Sequence, residues 1–126
     1  MNDLKIEQTT NTPLVELKGN GNMCIKGISI PDNGLLFFQP VFNWIEEYGQ
    51  QPSQKTTLEI ALDGYNTVSS KCLLDVLRGF EKVKNSGFEV NVNWYYHEDD
   101  PDMLEAGQEF DGFINVKFSF IEVDKN

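Results

Sequence analysis

The 126-residue sequence contains one histidine, His97, one arginine, Arg78, and two cysteines, Cys24 and Cys72. Each scarcity removes a class of chemistry. A Cys/His zinc centre needs four ligands, and neither cysteine has a CxxC partner or a neighbouring histidine. A serine or threonine nucleophile needs a base. The only histidine sits among Tyr95, Tyr96, Glu98, Asp99 and Asp100, as the end of a strand would. No D-x-[DN]-x-[DN]-G calcium loop is present, and Gly19-Asn20-Gly21 does not lead into a helix as a phosphate loop does. No cofactor and no metal are expected.

Positive charge is also scarce. Ten basic residues face twenty acidic ones, giving a net charge of −10, and no Lys or Arg lies between Lys84 and Lys117. Such a surface repels phosphate backbones and anionic lipids, so nucleic acid and membrane are not expected as partners. No apolar run approaches the roughly 20 residues of a membrane span. Met1-Asn2-Asp3-Leu4-Lys5 lacks the basic-then-apolar layout of a signal peptide. The chain reads as cytoplasmic, with both thiols reduced and mostly buried.

What remains is an ordinary globular composition, 40% hydrophobic and 24% charged, of a length that suits one domain over residues 1–126. Leu4–Glu7 and Pro13–Leu17 read as short strands. Met23–Ile30 alternates as a third, with Met23 and Ile25 inward and Ile28 a candidate to join them. With the Gly19–Gly21 turn, these predict an antiparallel meander. Pro31–Gly34 stops it. Leu35–Tyr48 predicts a helix with a wide apolar face, whose aromatics Phe37, Phe38, Phe42 and Trp44 read as core with some of them left exposed. Pro40 inside it marks either a kink or a later start.

Thr56–Leu62 predicts a strand, with Leu58, Ile60 and Leu62 on one face. Asn66–Lys84 is the clearest helix: Val68, Cys72, Leu73, Val76, Leu77, Phe80 and Val83 step at three and four, and Gly87 follows as a stop. Phe88–Tyr96 predicts a strand, Asp102–Phe110 a short acidic helix, and Val116–Val123 the last strand. The order β-β-β-α-β-α-β-α-β predicts an α/β fold with a mixed sheet and parallel βαβ units. Sites in such sheets lie beyond the carboxyl ends of the strands, and Asp63–Thr67 is at one such end.

Three hydroxyls, Thr67, Ser69 and Ser70, fall at that strand–helix junction. One reading is capping, with Asn66 or Thr67 accepting a bond from a backbone N–H two or three residues on. The other is phosphorylation, because a helix start offers free N–H groups and a positive dipole end. Lys71, one turn later, would help, and Asp63 would oppose. The acidic run Glu98, Asp99, Asp100, Asp102, Glu105, Glu109 and Asp111 reads as a solvated helix whose first acids suit its dipole.

Three segments also carry a family likeness. They are Gly27-Ile28-Ser29-Ile30-Pro31-Asp32-Asn33 before an aromatic helix with Trp44, then Tyr65-Asn66-Thr67-Val68-Ser69-Ser70-Lys71-Cys72-Leu73-Leu74-Asp75, then Trp94-Tyr95-Tyr96-His97-Glu98-Asp99-Asp100 with Met103-Leu104-Glu105-Ala106-Gly107. Together, in this order, they resemble the SiaC family of biofilm-regulation phosphoproteins, from about Gly27 to Val123. Val68 stands where that family often has serine, and Asp32 where it often has glutamate.

The resemblance implies a fold similar to anti-sigma-factor antagonists (STAS-like domains) and a non-enzymatic partner switch in cyclic-di-GMP signalling. It implies that Thr67 is phosphorylated by a partner kinase and dephosphorylated by a PP2C-type phosphatase. It implies that the unphosphorylated form binds and activates a diguanylate cyclase. Asn66, Thr67, Ser69, Ser70 and Lys71 are then the expected partner-binding residues. The alternative expectation is a small-ligand-binding or enzymatic domain with a pocket at the carboxyl ends of the strands.

Overall fold

The computed structural model describes residues 1–124. Six strands and three helices follow one another as β1 (Leu4–Ile6), β2 (Leu14–Leu17), β3 (Asn22–Ser29), α1 (Gly34–Tyr48), β4 (Lys55–Tyr65), α2 (Thr67–Asn85), β5 (Glu89–His97), α3 (Pro101–Phe113) and β6 (Lys117–Val123). The element order is the expected one. Among the described residues, no helix is long and apolar enough to cross a membrane.

The strands form one sheet in sequence order, β1 to β6. The meander β1–β2–β3 is antiparallel; β3–β4, β4–β5 and β5–β6 are parallel. Three successive crossovers each step one strand in the same direction. At one fixed hand, that puts all three helices on the same face of the sheet. Burial agrees. Met23, Ile25, Leu58, Ile60, Leu62, Val90, Val92 and Trp94 are buried on the helix side, against Phe38, Val41, Ile45, Leu73, Val76, Leu77 and Phe80. The opposite face carries Glu16, Lys26, Thr57, Glu59, Asn91, Asn93 and Tyr95.

α1 begins at Gly34, so Pro40 lies inside the helix, on its exposed side, and does not mark a later start. The surplus apolar surface of α1 is real, but it belongs to Leu35 and Leu36, which are 63% and 71% exposed. The aromatics Phe38 and Trp44 are core, and Phe37 and Phe42 pack against it. Both cysteines are free; Cys72 is buried and Cys24 half-buried, where burial pushes its thiol pKa up.

Two expected core positions are wrong, and one contact explains both. Ile28 is exposed, and the inward position is taken by Ser29. Val68 is 44% exposed, and the start of the α2 stripe is Ser69. Strict alternation along β3 and helical spacing back from Cys72 and Leu73 both point these serines inward. They are tolerated there because their hydroxyls meet each other at 2.8 Å, and Ser69 Oγ also lies 2.9 Å from the Ser29 carbonyl.

Candidate functional site

The parallel strands run their carboxyl ends to one rim, and each helix starts there. The three starts use one device. Asn33, Asn66 and Asp100 are N-caps whose side-chain oxygens accept from the N–H of Leu36 (3.1 Å), Ser69 (2.9 Å) and Met103 (3.2 Å). Asn66 also donates its backbone N–H to the Ser29 carbonyl at 3.1 Å, which ties the start of α2 to the end of β3.

The cap of α2 is therefore Asn66, and Thr67 is the first helical residue. Its side chain is exposed and stands outside the capping bond. The first turn of α2 holds no acidic residue, whereas α3 has Asp102 in its first turn. The positive dipole end of α2 is thus uncompensated by its own side chains. Lys71, four residues on, is exposed and on the same helical face as Thr67. Ser70 is half-buried. Ser69, expected at the partner surface, is instead fully buried and holds Ser29, so its side chain presents nothing to a partner.

Asp63, expected to oppose a phosphate, is engaged elsewhere. The pairing of β3 with β4 shifts register between Gly27 and Ile28, so that Gly27 faces Leu62 and Ile28 faces Gly64. Asp63 is the extra residue of this bulge, and such bulges re-aim a side chain. Its carboxylate lies 3.0 Å from His97 Nε2 at the end of β5. That hydrogen bond raises the His97 pKa above its ordinary value; desolvation opposes, and the charge of Asp63, the Asp124 carbonyl and Asp99 add to the rise.

Because the folded pKa is raised, the stabilisation from this pair is complete below the unfolded value of about 6.5 and is lost as pH rises through the folded value. The expected result is an imidazole titration midpoint above about 6.5 by NMR, moving down in Asp63→Asn. An unmoved midpoint would show that the contact does not set it.

On one side of Thr67 the rim is apolar. Ile30 (45% exposed), Leu35, Leu36 and Val68 are all solvent-facing there, and Val68 Cγ1 packs over Gly34, where a Cβ would sit 2.6 Å away. On the other side it is acidic. Burial raises the phenol pKa of Tyr65, and the charges of Glu109 and Asp100 add to the rise. Thr67 stands between an apolar ledge and an acidic one.

Two cavities lie elsewhere. One of about 170 Å³ is on the open face of the sheet, beside Glu16, Cys24, Lys26 and Glu59. The other, of about 690 Å³, lies between α1 and α2 over Phe42, Ile45, Gly79 and Val83. Neither opens at the strand carboxyl ends, where the small-ligand reading expected its pocket. Among the described residues no group of three or more His, Cys, Asp or Glu could hold a metal ion.

Sequence reasoning left the cap open between Asn66 and Thr67 and did not read Asn33 or Asp100 as caps. For Asn33 and Asp100 the signal was available, as Asn or Asp immediately before a helix start. It missed the Asp63–His97 pair, because a bulge leaves no mark in the alternation of a single strand.

Comparison with known proteins places this arrangement. A family profile described as SiaC family regulatory phosphoprotein matches residues 6–123. An uncharacterized protein of Pseudomonas aeruginosa (strain UCBPP-PA14) is 31% identical over 114 residues, covering 87% of this chain and 88% of that protein. The crystal structure of apo-SiaC from Pseudomonas aeruginosa superposes with a TM-score of 0.85 at 28% identity, covering 96% of this chain and 99% of that one. The structure of the diguanylate cyclase SiaD in complex with its activator SiaC, also from Pseudomonas aeruginosa, matches with a TM-score of 0.87 at 27% identity, over 96% of this chain and 100% of that one. The chain thus has the expected mixed α/β fold, and it belongs to the SiaC family of regulatory phosphoproteins.

Proposed function

We propose that this protein is a partner switch whose acceptor is Thr67. A partner kinase phosphorylates Thr67, a PP2C-type phosphatase removes the phosphate, and the unphosphorylated form docks on a diguanylate cyclase and activates it. These partners act in the cytoplasm. The observation that carries the reading is the setting of Thr67: an exposed hydroxyl, outside the cap, at a helix start without acids and beside an apolar ledge.

Each half of that setting serves one state. Ile30, Leu35, Leu36 and Val68 give a partner an apolar contact. A phosphate on Thr67 adds about −1.5 to −2 charges at the edge of that contact. The α2 dipole and Lys71 stabilise it in the free protein, and an apolar or acidic partner face does not. Asn66, Thr67, Ser70 and Lys71 form the polar part of the proposed docking surface, and Ser69 supports it from below.

The cyclase complex of the Pseudomonas aeruginosa relative supports the choice of partner class. The test is phosphosite mapping by mass spectrometry on protein isolated from its host. The expected result is phosphate on the Thr67 peptide that vanishes in Thr67→Ala. Full coverage of that peptide without phosphate, across growth conditions, would reduce Thr67 to an ordinary first-turn residue.

A further inference from the structure

The two edges of the sheet differ. β1 is three residues long, a length that blunts an edge. β6 has seven residues, Lys117-Phe118-Ser119-Phe120-Ile121-Glu122-Val123, without proline or glycine. Its inner neighbour is β5, and among the described residues no strand lies on its outer side. Phe118, Phe120, Ile121 and Val123 are all only half-buried. A long apolar edge of this kind templates pairing with another strand.

The register fixes which groups face outward. The Val123 carbonyl accepts from the N–H of Glu98, so Val123 turns its backbone groups toward β5. Alternation gives Ile121, Ser119 and Lys117 the same direction. The backbone N–H and C=O groups of Phe118, Phe120 and Glu122 therefore point to the free side.

We propose that this edge pairs with β6 of a second copy of the chain, antiparallel, about a two-fold axis at Ser119. The sequence around Ser119 is what selects a second copy. Phe118 and Phe120 flank it symmetrically, lie on the helix face opposite Val92 and Trp94 of β5, and stack at 5.9 Å within their own strand. A two-fold axis at Ser119 sets Phe118 of each copy across from Phe120 of the other. Both have outward backbone groups, so each such pair exchanges two hydrogen bonds. Four phenylalanine rings then meet across the axis, an aromatic cross-strand arrangement that favours pairing.

On the open face Lys117 falls across from Ile121, where its aliphatic stem covers apolar surface while the ammonium stays in water. Glu122 falls across from Val116, so no like charges are set directly opposite. The interface is isologous and closes on itself, joining two six-stranded sheets into one continuous sheet.

Ser119 supplies the test. It is exposed, and its backbone groups belong to β5, so changing its side chain spares the fold. Across the axis the two Ser119 residues form a pair without mutual hydrogen bonds, with Cα atoms about 4.5 Å apart, inside the range a disulfide spans. Light scattering on the separated wild-type protein, from micromolar to several hundred micromolar, should give twice the 14.4 kDa chain mass.

Ser119→Lys, which sets two ammonium groups face to face, should return the mass to 14.4 kDa with an unchanged circular dichroism spectrum. Ser119→Cys in a Cys24→Ser background should cross-link to a covalent dimer on mild oxidation, where Gln108→Cys, on the exposed side of α3, gives only traces. A wild-type chain that stays monomeric throughout overturns the proposal and leaves the edge to a strand of another protein. A dimer indifferent to Ser119→Lys and not cross-linked through Ser119→Cys overturns it as well.

Discussion

In the proposed switch, phosphorylation of Thr67 should weaken binding to a diguanylate cyclase partner by roughly 100-fold, about 3 kcal/mol, the scale of a like-charge or desolvated-charge penalty in an interface. In the free protein the phosphate is well placed: water, the acid-free start of α2 and Lys71 all serve it. Docking an apolar or acidic partner face on Ile30, Leu35, Leu36 and Val68 would strip part of that water without supplying a cation in return. The penalty falls on the complex alone, so it appears wholly as lost affinity. Thr67→Glu carries a smaller charge and should reproduce only part of the loss, while Thr67→Ala should bind as wild type.

Leu36→Asp separates the contact from the switch. Leu36 is 71% exposed, so the substitution leaves folding intact, yet it should cost at least roughly tenfold in affinity if the ledge is a binding hot spot. Calorimetric titration of the wild type, its phosphorylated form and the three variants against the cyclase reads all of this at once. Equal affinity of the phosphorylated and unphosphorylated forms would end the switch reading. Unchanged binding by Leu36→Asp would move the docking site away from the ledge.

Trp94→Ala should be the most damaging single change to stability, costing about 3–5 kcal/mol. Trp94 is fully buried within β5 and is the main anchor of α3. Its indole Nε1 donates to the Met103 carbonyl at 2.9 Å, and its ring lies 5.6 Å from that of Phe110. Gly107 completes the seat: a Cβ there would sit 2.6 Å from the indole, so only glycine lets helix and ring meet. Removing the ring leaves a cavity under α3 and strands a hydrogen-bond acceptor. A chain of this size holds about 5–15 kcal/mol in all, so the melting temperature should fall by roughly 10–20 °C. Amide exchange should show α3 opening before α1 and α2. Gly107→Ala approaches the same contact from the other side and should cost about 1–3 kcal/mol through overpacking. A Trp94→Ala protein melting within a degree or two of wild type would mean that α3 is held by other contacts.

The elements were legible because each has a strong period. β4 alternates through Leu58, Ile60 and Leu62, and α2 steps through Cys72, Leu73, Val76, Leu77, Phe80 and Val83. What the pattern could not show was where a polar residue takes an apolar place. Ser29 and Ser69 are each unfavourable to bury alone, and only their meeting across forty positions of sequence makes both acceptable. Reading apolar character as burial therefore chose Ile28 and Val68, and that error concealed part of the exposed ledge beside Thr67.

At the site, the junction was legible from three hydroxyls at a strand–helix boundary, and the choice of Thr67 among them came from the family resemblance. The choice of Asn66 as cap, and the diversion of Asp63 to His97, depend on backbone angles and a bulge that no single strand announces.

The assignment of the cap to Asn66 rather than Thr67 reaches into the timing of a response. A side chain that makes the capping bond has to break or remake that bond when it is modified; the residue after the cap does not. In the proposed cycle the capping bond of α2 is therefore kept in both forms of the protein. The phosphorylated chain is a standing reserve, and its release needs only hydrolysis of one ester. The speed at which a cell regains active protein is then set by the phosphatase, not by new synthesis.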